Sequence, residues 1–335
     1  MITSDIKLKA LQLDYLACGV IPADIFDEYA RALDRRVEAF PASKKYYEPF
    51  YAFAQLPENA KSIIVCTKSY TGYKVSDSLS GLIGKCYMFD YRMDYSPGYR
   101  AKAEFVAYLK TLGIGILENP VPDRLAAAKA GIGKFGRNNF IYDPQEGSNI
   151  WVDAWAVDKE LEYDPIEEDM HLSACSDGCN ICIESCPTKA LSGSFSMDMG
   201  KCINRITTIE KSVPDENTRT QLGRWLYGCD VCQDSCPLNQ GKWKGSKEFP
   251  LLSEYEEYLK PERILEMDDD TYKSIVNPRF WYSGEDALWL WKCNALRSMI
   301  NSGDKKYHGL IRTSCDHEDA RIREIALWGC GKLDK

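Results

Sequence analysis

Histidine is nearly missing from this chain: His171, His308 and His317 are the three among 335 residues. That scarcity leaves no HExxH helix and no Ser–His–Asp constellation to support hydrolytic chemistry. An excess of positive charge is missing too, since 42 Lys and Arg face 50 Asp and Glu for a net charge of −8. Nucleic-acid binders usually show the opposite balance, because neutralised phosphates supply most of their affinity. No apolar run approaches the ~20 residues needed to span a bilayer, so no membrane partner is expected. The stretch Met1-Ile2-Thr3-Ser4-Asp5 shows no basic region followed by an apolar one, as an export signal would. Arg35-Arg36 lies between Asp34 and Glu38 and reads as a solvated helix face, not a twin-arginine signal. The expected location is cytoplasmic.

Cysteine, in contrast, is abundant, with fourteen residues. In a reducing compartment thiols stay free unless they are metal-bound or catalytic. Eight fall between residues 175 and 236, as Cys175-x3-Cys179-x2-Cys182-x3-Cys186-Pro187, Cys202, and Cys229-x2-Cys232-x3-Cys236-Pro237. Short spacings let neighbouring thiolates wrap one [4Fe–4S] cubane, and the cysteine before proline ligates the other cluster. On that rule Cys175, Cys179, Cys182 and Cys236 hold cluster one, and Cys202, Cys229, Cys232 and Cys186 hold cluster two. The x3 gap after Cys175, where x2 is usual, makes it the least regular ligand. Zinc also takes four thiolates, but zinc pairs seldom carry a repeated x3-Cys-Pro ending. Cys18, Cys66, Cys86, Cys293, Cys315 and Cys330 lie mostly in apolar surroundings and read as small buried hydrophobes.

The fold class expected is α+β. Residues 1–170 read as an α/β domain, with apolar strands at 14–21 and 62–68 and helical periodicity at 24–39 and 99–112. Gly113–Leu117 reads as a further strand, and 138–143 with 149–157 as a hairpin around Asp143–Ser148. Gly131-x-Gly133-x-x-Gly136 matches the dinucleotide fingerprint by count, but a helical stretch precedes it where a strand is required. It reads as a helix-ending turn, and NAD is excluded. Residues 171–250 form the ferredoxin-like segment. Residues 251–335 read as helical, with about three helices from Glu285 to Leu333 in a HEAT-like arrangement that needs a neighbour to bury its face.

With these motifs placed, the chain resembles the cobalamin-dependent double-[4Fe–4S] reductases of the epoxyqueuosine reductase type. The resemblance rests on Lys129-Ala130-Gly131-Ile132-Gly133-Lys134-Phe135-Gly136-Arg137-Asn138, the turn Gly147-Ser148, and the cysteine order with its isolated Cys202. It also rests on Tyr227-Gly228-Cys229-Asp230-Val231-Cys232-Gln233 and on Asn294-Ala295-Leu296 with Asn301-Ser302-Gly303-Asp304. It implies a nitroreductase-like N-terminal domain that binds cobalamin base-off, with no protein ligand below cobalt. No histidine here sits in an Asp-x-His-x-x-Gly arrangement, which agrees. The matching corrin contacts are Arg137, Asn138, Asn139, Ile141, Ser148 and Val152, with Ile203, Asp230 and Val231 from the cluster segment. The implied donor is ferredoxin or flavodoxin, and electrons would run through both clusters to cobalt.

Two positions depart from the resemblance. The family's catalytic aspartate falls on Leu117, with Glu118 beside it, so Glu118 is the candidate acid and Asp123 or a tyrosine the substitute. The arginine-rich run of tRNA-binding members is replaced by Arg279-Phe280-Trp281-Tyr282-Ser283-Gly284-Glu285-Asp286-Ala287-Leu288-Trp289-Leu290-Trp291-Lys292. Aromatics can stack on unpaired bases, although at helical spacing they usually belong to a core. The expected substrate is therefore a small molecule or modified nucleoside, with tRNA doubtful. A reductive dehalogenase-like enzyme and a ferredoxin-like carrier that reduces a partner's corrinoid are the alternatives.

Overall fold

The computed structural model describes residues 2–23, 26–117, 121–167 and 174–333. Glu118 and His171 lie outside them, as does the boundary expected at 170/171. Strands β1 (Ala17–Pro22), β2 (Ser62–Ser69) and β5 (Ile150–Val157) form an antiparallel sheet in the order β1-β2-β5. Cys18 pairs with Cys66, and Val65 with Ala154. Side chains alternate across a strand, and here both faces are covered, which is why Ile63-Ile64-Val65-Cys66 is continuously apolar. Ile64 and Cys66 face a core with Ile6 and Ala10 of helix Ile2–Gln12 and Phe105 and Leu109 of helix Pro97–Thr111. Ile63 and Val65 face Leu125, Ala126 and Ala127 of helix Asp123–Lys129. Small side chains let that helix lie close: a Cβ on Gly19 would stand 2.5 Å from the Ala130 Cβ.

The glycine stretch ends a helix, as its context predicts. Gly131 has φ +68, and its N–H bonds to the Ala128 carbonyl, a left-handed cap that glycine adopts at little cost. Two expectations need correction. Gly113–Leu117 is not a strand of the sheet, since it makes only an isolated bridge from Ile116 to Val157. Residues 138–143 and 149–157 are not paired with each other. The Asp143–Gly147 bridge closes the turn, but β4 (Ile141–Tyr142) pairs with β3 (Lys134–Phe135) while β5 pairs with β2.

The helical C-terminal region has three helices in its last part: Leu288–Ser302, His308–Thr313 and Ala320–Leu333. It does not stand alone. Phe249, Leu252, Ile264, Phe280 and Trp291 share one core with Tyr70, Leu82, Phe89 and Tyr227. The aromatic run divides accordingly: Phe280 and Trp291 are buried, whereas Trp281 and Tyr282 are exposed. That exposed pair stacks at 4.2 Å with the Arg92 guanidinium over both rings.

Candidate iron–sulfur centre

The cysteine loops are short turns that end in extended residues. Cys186 and Cys236 have φ/ψ of −64/113 and −76/124, as the following prolines require. Cys202 caps the N-terminus of helix Ile203–Ile209. Burial raises its thiol, and the N–H groups of Arg205 and Asn204 oppose that rise by favouring the thiolate.

The thiols gather in two neighbouring groups. Burial raises Cys182 to about 11, and Cys175, Cys236 and Cys179 add to the rise in that order. Burial also raises Cys229, with Cys202 and Cys186 contributing. Cys232 is raised by burial, then by Cys229, Cys202 and Cys182. Such effects weaken with separation, so the thiols that raise one another are neighbours. They fit an exchange of the fourth cysteine between the two runs. Among the described residues no three His, Cys, Asp or Glu side chains stand close enough to grip one metal ion. A cubane, bound at one thiolate per iron, takes ligands spread around a larger body.

The N-terminal domain reaches this segment through residues 137–148. The Arg137 backbone N–H points at Cys175 Sγ at 3.4 Å, and its guanidinium donates to the Cys179 carbonyl at 2.9 Å and Asn180 Oδ1 at 3.0 Å. Buried Asn138 donates to the Tyr142 hydroxyl at 2.9 Å and the Cys232 carbonyl at 3.3 Å. Ser148 donates to Gln233 Oε1 at 2.9 Å and accepts from Asn239 Nδ2 at 2.9 Å. Glycine is required at 147, with φ +67, because a Cβ there would fall 2.2 Å from Asn239 Oδ1. The turn thus docks on the chain leaving Cys236.

The remaining expected contacts are scattered among different roles. Ile141 is buried against the sheet, with Val152 packed on the same core. Ile203 lies in a small core with Ile206 and Leu222. Asp230 is buried, accepts from the Lys85 backbone N–H at 2.8 Å, and is pushed up to about 6 by burial. Val231 begins helix Val231–Asp234 and is half-buried. Asn139 accepts from Arg36 at 2.9 Å, but its buried Nδ2 has no partner. That orphan donor fits an amide-rimmed ligand such as a corrin; Arg137, Asn138 and Ser148 are instead committed to the cluster segment.

Leu117 packs against the apolar face of the sheet and holds the Ala156 carbonyl through its N–H. Asp123 is pushed up by burial, against the pull of Arg124. Tyr142 and Asn239 were not singled out by motif, and Gln233 only as the end of the stretch that begins at Tyr227. The signal for Asn239 was its place just past Cys236-Pro237; for Tyr142 no sequence signal exists.

Residues 174–239 match the family model described as a 4Fe-4S double cluster binding domain. This domain marks an iron–sulfur protein, and the curated relatives, epoxyqueuosine reductases, mark it as an oxidoreductase. Over its length the chain is similar to epoxyqueuosine reductases: it is 29% identical to that of Staphylococcus aureus across 98% of this chain and 89% of the relative. It is 28% identical to that of Cellulophaga algicola, across 81% of this chain and 90% of the relative. The solved epoxyqueuosine reductase of Streptococcus thermophilus shares the fold, with TM-score 0.76 and 21% identity, over 100% of this chain and 91% of that one. An epoxyqueuosine reductase solved with an epoxyqueuosine-modified tRNA stem loop gives TM-score 0.74 and 23% identity, over 100% and 90%. Among the described residues no helix is long and apolar enough to cross a membrane.

Proposed function

We propose that this chain is a cobalamin-dependent reductase of the epoxyqueuosine reductase type, taking electrons from ferredoxin or flavodoxin to remove oxygen from a modified nucleoside or small molecule. The observation that carries this reading is the docking of residues 137–148 on a two-group cysteine array. Cys175, Cys179, Cys182 and Cys236 serve one cluster, and Cys202, Cys229, Cys232 and Cys186 the other. When bound, the clusters supply one-electron transfer and cobalamin, held base-off, the low-valent metal chemistry. Asn139 would offer its unpaired amide to the corrin, and Ile141, Val152, Ile203, Asp230 and Val231 are the other residues that would hold it. The leaving oxygen needs a proton. Glu118 is the candidate by position, and Asp123, already raised by burial, is its rival. The charge of −8 and the exposed Trp281–Tyr282 pair in place of a cationic run weigh against tight tRNA binding. The three C-terminal helices serve as a HEAT-like support.

The test is direct. Anaerobically purified protein should hold about eight iron atoms, and Cys229→Ala should lose about half of them. Added cobalamin should give a base-off cob(II)alamin EPR signal; axial nitrogen splitting contradicts that mode, and absence of binding favours an electron carrier. Single-turnover assays on epoxyqueuosine-containing tRNA, at low and near-physiological salt, decide the substrate. Loss of turnover in Glu118→Gln but not Asp123→Asn assigns the acid to Glu118, and the reverse result assigns it to Asp123.

A further inference from the structure

Tyr142 is almost fully buried, and its hydroxyl stands 3.2 Å from Cys236 Sγ. The direction of that bond follows from its neighbour. Asn138 Oδ1 accepts from the Phe140 N–H at 3.3 Å, which turns the Asn138 Nδ2 toward the Tyr142 oxygen at 2.9 Å. The phenol oxygen is therefore an acceptor for Asn138, and with the nearby Ser148 hydroxyl already donating to Gln233 and accepting from Asn239, the phenol donates to the sulfur. The glycines of the Gly131–Gly136 stretch hold this arrangement in place. A Cβ on Gly133 would fall 2.5 Å from Ile141 Cγ2, and one on Gly136 would fall 2.4 Å from the Tyr142 ring. The motif that mimics a dinucleotide loop is instead the seat on which the Ile141–Tyr142 strand lies.

A hydrogen bond to a ligand sulfur favours the more negative, reduced cluster and so raises its potential. The geometry points to Tyr142 as a tuning residue that raises the reduction potential of the cluster bound by Cys236, leaving the other cluster untouched. Asn138 sets the direction of the bond, and it also holds the Cys232 carbonyl, so one amide braces the backbone of the second cysteine run as well. This inference rests on Cys236 being a cluster ligand.

The experiment is a potentiometric titration of the anaerobic holoprotein followed by EPR, in wild type and in Tyr142→Phe. Phenylalanine keeps the ring on Gly136 and removes only the donor. The expected result is that one of two cluster couples moves to lower potential, the other stays, and iron content is unchanged. Asn138→Ala, the second variant, should move the same couple in the same direction by less. Full iron with both couples unmoved in both variants overturns the role of Tyr142 while leaving the cluster reading intact. A wild-type protein that binds no iron overturns both together.

Discussion

The sheet domain and the cysteine segment are held by different forces. Among the described residues, twelve buried side chains line each face of the sheet, from Ile6 and Ile64 on one side to Ile21 and Ala126 on the other. Segment 174–239 has two small apolar patches of its own, one counting Cys182 and Cys186 among its four buried members and the other Ile203, Ile206 and Leu222, and it lends Leu226 and Tyr227 to the core of the C-terminal region. Apolar burial contributes in proportion to area, so the first region has a core of its own. The second depends on ligation and on hydrogen bonds brought from outside. Helix Leu288–Ser302 supplies many of these: Asn294 donates to the Thr207 and Leu226 carbonyls at 3.0 Å each, and Asn301 to those of Arg219 and Gly223 at 2.8 Å each. Buried Arg297 donates to the Gly223 carbonyl at 2.6 Å and to that of Trp225. A segment too small to fold by burial borrows its order from metal and from its neighbours.

Removing iron should break the comparison most visibly. Metal binding couples to folding where no other core exists. Anaerobic chelation should abolish hydrogen-exchange protection across 181–185 and 203–209 while β2 and β5 keep theirs; equal loss in both regions would contradict the division. Asn294→Ala comes next. It leaves two buried carbonyls unpaired at roughly 1–3 kcal/mol each, so a loss of about 2–6 kcal/mol should appear as faster exchange at 219–229 and weaker retention of iron. On the other side, Gly19→Ala forces a Cβ against Ala130 and should cost about 1–3 kcal/mol, read as a lower Tm at unchanged iron content.

The smallest effect is electrostatic. The Asp319 carboxyl is held down to about 2 by its hydrogen bond to Arg321, and it caps helix Ala320–Leu333 by accepting the Arg321 N–H at 2.8 Å. A carboxylate depressed in the folded state stabilises above its ordinary range near 3.8, and that stabilisation is lost as pH falls through about 2. Asp319→Asn should therefore loosen this helix at pH 5 and match wild type progressively below pH 3.8, followed by hydrogen exchange of residues 320–333.

Local chemistry was readable in the sequence and long-range pairing was not. Cysteine spacing reports ligand geometry within one loop, so the presence of the double-cluster segment was legible. So were β2, from its apolar run, and the helix end at Gly131. The supposed hairpin at 138–157 failed because its turn is real but its first arm pairs back on Lys134–Phe135, and only the second joins the three-stranded sheet. Tyr142 could not be found, since its partner Cys236 lies 94 residues away. Cys66 and Cys293 are buried as expected, yet Cys315 and Cys330 are half-buried with sulfurs 3.0 Å apart. Of the aromatic run, Trp289 and Trp291 lie on helix Leu288–Ser302, whereas Phe280, Trp281 and Tyr282 precede it and only Phe280 of these three is buried.

The clasp from helix Leu288–Ser302 has a consequence for the order of events during synthesis. The cysteine segment leaves the ribosome some fifty residues before the asparagines and arginine that hold its backbone. Until then the carbonyls of Gly223, Trp225 and Leu226 must bond to water, and the loop that delivers Cys229 has no fixed course. Cluster assembly is therefore expected late in the life of the chain, after helix Leu288–Ser302 has emerged. A nascent chain stalled after Pro278 should carry fewer irons than the same chain released.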